Sequence, residues 1–265
     1  FKIFRLMRGI LVLSKEKDLI PKNFKKSLPL AIRLFLNIIP SNKGDGLSES
    51  LQSLGPTWIK MGQFLSTRPD IIGNKLSKHL RELQDSIPPF DQRFVEEALI
   101  ESFGKDFKKK FKKIEEPIAA ASIAQVHKAL IDVDGVSKTV ALKVLRPNIE
   151  SKIKRDLKDF YLAAKILEKL SSEARRLRVI DVVRTLEESL SMEIDLRLEA
   201  AAQSEIIENT QEDKFIEIPE VFWDLTSKNI LTTEWVEANS SKNLKEIKKK
   251  FKKIEEPIAA ASIAQ

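Results

Sequence analysis

The chain of 265 residues is long enough to bury a hydrophobic core in one or two domains without disulfide staples. It contains no cysteine, which excludes a disulfide framework, a zinc–thiolate site and a thiol nucleophile, and fits a reducing, cytoplasmic compartment. Its net charge of +7 is spread over interleaved acids and bases, and with one tyrosine and three tryptophans it does not predict nucleic-acid binding.

Residues 1–105 show the apolar spacing of helices, interrupted by Pro21, Pro40 and the glycines at 44 and 46. The first forty residues combine Phe, Leu and Ile with Lys and Arg, which fits a basic amphipathic helix on an anionic membrane. A core-facing helix with a solvated basic side fits the same pattern and is the favoured interpretation. No run of about eighteen apolar residues is present, so no membrane-spanning helix is expected.

The sequence becomes rich in β-forming residues from about residue 114. Runs 124–131 and 139–145 are joined through Asp134-Gly135 and predict a hairpin. An alanine-rich loop precedes this hairpin. The second run contains Val140-Ala141-Leu142-Lys143, which matches the kinase strand pattern V-A-I-K with one conservative change. In that pattern the lysine pairs the α- and β-phosphates of ATP, so ATP is the predicted ligand.

Two helices are predicted after Arg146-Pro147. The first carries apolar residues from Ile153 to Leu167 at helical spacing, and the second runs from about Val182 to about Asn209. Two further strands, 216–223 and 229–236, are then expected on either side of a turn. The predicted order is helices, two strands, helices, two strands.

Lys143 lies in an apolar run, where a lone ammonium group is costly unless it has a charged partner or a phosphate. The alternative is a lysine on an edge strand whose charge reaches water. In a helix over 192–201, Asp195 and Glu199 share a face and repel each other unless a cation lies between them, and Lys143 would satisfy both. Glu193 and Arg197 are also four apart, so an ordinary surface ion pair is the alternative for Glu193.

Lys60 and Gln63 lie three residues apart on either side of Gly62 and face the same way on a helix. A lysine and an amide beside a glycine can reach into a polar site. The same pair is also common on helix surfaces, so this pattern alone is a weak signal.

Together these residues resemble the UbiB/aarF family of atypical kinase-like proteins linked to ubiquinone biosynthesis, over residues 50–238. The motifs that carry the resemblance are Lys60-x-Gly62-Gln63, the alanine-rich segment, Lys143, Glu193-x-Asp195 with Glu199, and Thr233-Glu234-Trp235. The resemblance implies an α+β fold: a kinase-like N-lobe with a mixed or antiparallel sheet, expected to have five strands, preceded by an all-helical extension.

The resemblance also implies roles for individual residues. Lys143 would pair with Glu199. The phosphates would be covered by Ala119, Ala120, Ala121 and Ser122, and the adenine would be touched by Glu234 to Val236. The helix bearing Lys60 and Gln63 would lie across the site, occlude protein substrates and contact Glu193 and Asp195. Independently of the family, alanines cannot adopt positive φ as cheaply as glycines, so we expect a phosphate pose unlike that of ordinary kinases.

The sequence departs from its family at the C-terminal side. It contains neither a catalytic-loop Asp followed by Asn nor a metal-binding D-F-G segment, so no catalytic or metal-ligating residue is assigned and enzymatic activity is uncertain. Residues 248–265 repeat 108–125 letter for letter and predict a solvated tail. With Phe1 in place of methionine, these features predict a fragment that stops before the C-lobe.

The expected organisation is a helical extension over 1–105, a kinase-like N-lobe over 106–238 and a duplicated tail over 239–265. The expected function is an ATP-binding atypical kinase or ATPase supporting ubiquinone biosynthesis, with ATP and Mg²⁺ as cofactors in the complete protein. Expected partners are a nucleotide, an anionic membrane or isoprenoid lipid, and ubiquinone-biosynthesis proteins. The expected location is the cytoplasmic face of the inner membrane. The alternative is a noncatalytic, peripheral membrane or lipid-binding scaffold.

Overall fold

The computed structural model describes residues 9, 12, 14–15, 22–38, 46–81, 83, 87–213 and 215–237. Residues up to Glu234 belong to one compact unit, and a second unit begins at Trp235. The repeated segment 248–265 lies outside the described residues, so its expected solvation stays a prediction.

Most described residues of the front of the chain are helical, as the sequence predicted. The helices are α1 (Lys22–Ser27), α2 (Leu30–Ile38), α3 (Leu47–Leu54), α4 (Pro56–Ser66), α5 (Pro69–Ile72), α6 (Asn74–Arg81), α7 (Gln92–Phe103) and α8 (Phe107–Lys110). Helices α3, α4 and α6 enclose a small core of their own around Leu51, Ile59 and Leu80. Gly62 permits this packing, because a Cβ atom there would lie 2.9 Å from methyl groups of Leu51 and Leu83.

The described strands form a four-stranded antiparallel sheet in the order β1 (Phe111–Ala120), β2 (Ala124–Val133), β3 (Val136–Leu145) and β4 (Ile230–Glu234). The α+β class, the antiparallel 134–135 hairpin and the kinase-like sheet are confirmed. Every strand pair among the described residues is antiparallel, as one of the two expected arrangements has it, but the sheet there has four strands and not the expected five.

Two strand assignments changed. Strand β1 was not predicted, because six of its ten residues are exposed, four of these six are charged, and its hydrophobic alternation is weak. The predicted strand 216–223 is not a strand: it makes a single bridge from Val221 to Thr233 and leads into a 3₁₀ turn, Trp223–Leu225. Pro219 has no N–H group to donate to a strand ladder, which opposes regular pairing here.

The sheet is covered on both faces. One face buries Val140, Leu142 and Val144 against α7 and α8. The other face buries Ala124, Leu145 and Leu231 against the helices that follow β3. Alternate residues of β3 therefore pack into different hydrophobic cores, as expected when successive side chains point to opposite faces of the sheet.

The helices that follow β3 are α9 (Ile149–Leu170), α10 (Ser172–Leu177), α11 (Val179–Glu193) and α12 (Leu196–Asn209). The single helix predicted over about 182–209 is divided at Ile194 and Asp195. Asp195 caps α12, because its carboxylate accepts a hydrogen bond from the backbone N–H of Arg197. Across the described ranges, no helix combines the length and apolar character needed to cross a bilayer.

Candidate functional site

Lys143 of β3 and Glu199 of α12 form an ion pair across the sheet–helix boundary. The Lys143 Nζ atom donates to both carboxylate oxygens of Glu199, at 2.8 and 2.7 Å. The lysine side chain is 30% exposed and the glutamate side chain 49% exposed. An ion pair this exposed contributes at most about 1 kcal/mol to stability, so its main effect is to hold the ammonium group in place.

Strand register puts Lys143 and the alanine-rich segment on the same face of the sheet. Ala119 pairs with Val126, Val126 with Lys143, and Lys143 with Leu231. Residues directly opposite each other in antiparallel strands point to the same face, and each strand adds about 4.8 Å. Ala119 and Lys143 are therefore about 10 Å apart along one row.

The alanine-rich segment is partly strand and partly turn. Ala119 and Ala120 end β1, and the turn is closed by the Ala121 N–H, which donates to the carbonyl of Ala124 at 2.8 Å. Ser122 is fully buried. No residue from 119 to 123 has a positive φ. The turn is therefore built without the backbone conformations that glycines supply in a phosphate-binding loop.

Lys60 of α4 contacts Glu193 at the end of α11, with 2.7 Å between its Nζ atom and a carboxylate oxygen of Glu193. The resemblance implied contacts of this helix with Glu193 and Asp195, and this is the first of the two. The side chain of Gln63, on the same helix, is half-buried, and none of the hydrogen bonds among the described residues involves it. The proposed regulatory role of both residues stays a prediction.

The expected sharing of Lys143 between Asp195 and Glu199 is wrong. Asp195 stands before α12 rather than inside it, and its carboxylate accepts hydrogen bonds from the guanidinium of Arg197 at 2.9 and 2.7 Å. These bonds to Arg197 lower the pKa of Asp195. The alternative considered for Glu193, an ion pair with Arg197, is also wrong, because the break at Ile194 and Asp195 removes the helical i,i+4 geometry.

Helix α4 is fixed to α9 as well as to α11. The hydroxyl of Thr57 donates to Asp156 at 2.7 Å. Gly55, directly before α4, has φ of 106° and ψ of −174°, a conformation open essentially to glycine alone. The absent side chain also leaves room for the Lys152 ammonium group, which would lie 2.8 Å from a Cβ atom at Gly55.

The two residues predicted near the adenine lie at the end of the sheet and beyond it. Glu234 ends β4, where its carboxylate accepts a hydrogen bond from the Glu220 N–H at 3.4 Å. Val236 is exposed. Their contact with a nucleotide stays a prediction.

Sequence reasoning missed a buried polar network beside the alanine turn. The Arg146 guanidinium donates to the carbonyl oxygen of Ala121, and Gln125 hydrogen bonds both to Phe90 and to the imidazole of His127. Burial lowers the pKa of His127. The polar residues Gln125 and His127 inside an otherwise apolar β run were the available signal, since buried polar groups require partners.

A cavity of about 410 Å³ lies beside the β3–α9 turn, between α7 and the start of α9. Its walls include Glu97, Glu101, Arg146 and Lys154, but neither Lys143 nor Glu199. Within the part of the chain that the structure describes, no three His, Asp or Glu side chains are grouped closely enough to hold a metal ion.

Comparison with known proteins gives a consistent result. Residues 82–253 match the model of the ABC1 atypical kinase-like domain. The chain is 36% identical over 216 residues to the probable protein kinase UbiB of Marinobacter nauticus, covering 78% of this chain and 39% of that protein. It is 37% identical over 193 residues to the probable protein kinase UbiB of Pseudomonas paraeruginosa, covering 72% of this chain and 36% of that protein. It is 36% identical over 223 residues to the probable protein kinase UbiB of Vibrio cholerae, covering 82% of this chain and 41% of that protein. The chain spans about two fifths of the length of these curated relatives.

Gly55→Ala tests how firmly α4 is anchored. We expect the free energy of unfolding to fall by about 1–3 kcal/mol, because the substitution forces an alanine into a glycine-only conformation and displaces the Lys152 ammonium group. Chemical denaturation measures the change. Gly135→Ala is the matched control, because that glycine also has a positive φ but a Cβ atom there would meet no neighbour within 4 Å. An equal loss in the two variants would contradict a special constraint at Gly55.

Proposed function

Because this chain belongs to the ABC1 atypical kinase-like family, we propose that it binds ATP on the sheet face around Lys143. The observation that carries the proposal is the Lys143–Glu199 pair, held in the same cross-strand row as Ala119. A lysine fixed by a glutamate from a packed helix is the arrangement with which kinases bind the α- and β-phosphates of ATP.

The exposure of Lys143 supports this assignment. Its side chain is 30% exposed, so the ammonium group is accessible to a ligand while Glu199 holds it in place. A phosphate that approaches this face meets a point charge with three N–H donors.

The alanine turn sets the expected phosphate pose. Residues 119–123 have no positive φ, so the backbone does not curl over a phosphate as a glycine-rich loop does. The turn covers the phosphates from the end of the sheet, with Ser122 buried in its floor. We therefore expect a nucleotide preference different from that of ordinary protein kinases.

The helix that carries Lys60 and Gln63 restricts the substrate. It is pinned at two points, to Asp156 by Thr57 and to Glu193 by Lys60, so moving it aside breaks both contacts. We propose that α4, held at these two points, keeps a long peptide substrate from the site, as the family resemblance implies. The activity proposed for the complete protein is therefore an ATPase or a kinase acting on a small or lipid-associated molecule.

The wider role rests on the family resemblance, which the relatives named probable protein kinase UbiB support. We infer that this chain supplies the nucleotide-binding part of an enzyme that supports ubiquinone biosynthesis at the membrane face, with ATP and Mg²⁺ as cofactors. When bound, Mg²⁺ neutralises charge on the phosphates. The residues of this chain orient the nucleotide through Lys143 and exclude large substrates through α4.

Lys143→Ala is expected to abolish the stabilisation of the purified protein by ATP. At about a hundred times the dissociation constant, a ligand stabilises by about 2.7 kcal/mol, which raises the melting temperature by about 5 °C or more. The thermal shift with and without ATP measures the effect. Lys75→Ala is the control, because Lys75 is an exposed lysine on α6. Equal ATP shifts in the two variants would refute the role of Lys143.

Lys60→Ala is expected to change nucleotide selectivity with little loss of fold. The lysine and Glu193 side chains are 16% and 34% exposed, so losing this pair costs about 1 kcal/mol or less. Thermal shifts with ATP, ADP and GTP measure the change in preference. A collapsed melting transition would show that Lys60 is purely structural.

A second candidate function is a noncatalytic membrane-binding scaffold. Leu30, Leu34 and Ile38 of α2 lie at successive i,i+4 positions and are 66%, 55% and 82% exposed. Lys26 and Arg33 are exposed on the same part of the chain. An apolar stripe with adjacent cations is the pattern by which an interfacial helix binds an anionic bilayer.

Vesicle flotation separates the two candidates. A scaffold should bind vesicles that contain an anionic phospholipid, lose at least half of the bound fraction in Leu34→Ser/Ile38→Ser, and bind equally well in Lys143→Ala. If the wild-type protein stays with the unbound fraction, the scaffold is excluded. Vesicles of a purely zwitterionic lipid serve as the control for charge, because the cationic contribution needs anionic headgroups.

A further inference from the structure

Two exposed helix faces of this chain carry opposite charges beside apolar stripes of equal length. We propose that the chain associates with a second copy of itself by packing the outer face of α9 on the outer face of α12. The proposal does not depend on nucleotide binding, because neither face includes Lys143 or the alanine turn.

Helix α9 is anchored in the core by one side and carries an apolar stripe on the other. Ile153 and Phe160 are buried in the core that covers the sheet. Leu162, Ile166 and Leu170 lie at successive i,i+4 positions on the outer side and are 42%, 43% and 44% exposed. Because the inner side holds the helix in place, the stripe is a preformed surface that loses little conformational entropy when it is covered.

The exposed charges of α9 are all positive. Its acids are half-buried or buried, namely Glu150, Asp156, Asp159 and Glu168. Four exposed cations take part in none of the ion pairs found between described residues, and these are Arg155, Lys158, Lys165 and Lys169. We call these four cations and the apolar stripe the basic face. A protein surface that covers this face must supply carboxylates, because interfaces place opposite charges against each other.

The outer side of α12 has the complementary pattern. Leu198, Ala202 and Ile206 are exposed at the same i,i+4 spacing, with Leu198 51% and Ile206 49% exposed. Glu205 and Glu208 are exposed beside them, and neither belongs to an ion pair of the described chain. We call these five residues the acidic face. Its charge is therefore available to the cations of another molecule.

The two faces match in length and spacing. Residues eight apart on a helix are separated by about 12 Å, so both apolar stripes extend over the same distance. Rows of side chains at i,i+4 spacing pack into one another at helix–helix contacts. In such a contact, Lys165 and Lys169 lie against Glu205 and Glu208. Ala202, at the middle of its row, leaves room for a larger side chain of the opposite row.

Within one chain the two faces do not satisfy each other. Helix α9 packs on α11, and none of the ion pairs between described residues joins α9 to α12. The only cation of α12, Arg197, is bound to Asp195. A second copy supplies both faces at once, so two copies can form two such contacts in a closed pair. An anionic bilayer would cover the basic face but leave the acidic face without a partner.

Sedimentation of the purified chain over a range of concentrations measures the association. We expect the mean mass to rise with concentration and the association to weaken at about 1 M salt, where charges are screened beyond about 3 Å. Lys165→Glu/Lys169→Glu and Glu205→Lys/Glu208→Lys should each weaken self-association at least about tenfold, because each places like charges opposite each other.

An equimolar mixture of these two variants is the decisive measurement. Each variant repels itself, but the reversed α9 of one meets the reversed α12 of the other, so the mixture should associate as the wild type does. Both variants keep a net positive charge, so an overall attraction between them does not explain recovery. Lys75→Glu/Lys78→Glu, at exposed positions of α6, is the matched control and should associate like the wild type.

Melting temperatures measured in parallel show that the variants are folded, and their ATP thermal shifts report separately on the nucleotide site. A wild-type chain that stays monomeric at every concentration overturns the proposal, and so do folded variants that fail to associate when mixed. If the wild type is monomeric and Lys165→Glu/Lys169→Glu loses binding to vesicles of anionic phospholipid, the basic face is a membrane surface and the second copy is excluded.

Discussion

The arrangement of the candidate site depends on one electrostatic constraint, the need to hold the ammonium group of Lys143 on a partly covered sheet face. A lysine that faced the opposite side of β3 would be buried among Val140, Leu142 and Val144. The two-residue alternation of the strand instead points it toward α12, where Glu199 meets it. The same face carries the end of β1, so the position of the charge also determines which loop lies opposite it.

The helical front of the chain is attached to this centre by polar contacts at defined points. Thr57 and Lys60 join α4 to α9 and α11, and Gly62 lets the other side of α4 pack closely against leucines. The K-x-G-Q motif therefore combines two separate physical roles. Its lysine contacts the helix that precedes α12, and its glycine allows α4 to pack against the front helices.

The sequence predicted the central hairpin and the Lys143–Glu199 contact because both produce strong local patterns or specific motifs. It did not predict the division between α11 and α12, since the helical spacing of apolar residues continues through Ile194 and Asp195, and only the capping role of Asp195 marks the break. Arg146 was likewise assigned only to the Arg146-Pro147 junction between a strand and a helix. Its contacts join residues 25 to 59 positions away in the chain, and no local periodicity reports such distances.

Strand β1 shows that residues which make a strand hard to predict from the sequence can protect the folded protein. Among the described strands it lies at the end of the sheet, so one side of its backbone has no strand partner. An open strand edge can pair with another copy of the same molecule and start aggregation. Lysines at 112 and 113, glutamates at 115 and 116 and a proline at 117 occupy that strand. Charges repel an approaching edge and proline cannot donate to it, so the residues that weaken the β pattern of this segment also protect the sheet against intermolecular strand addition.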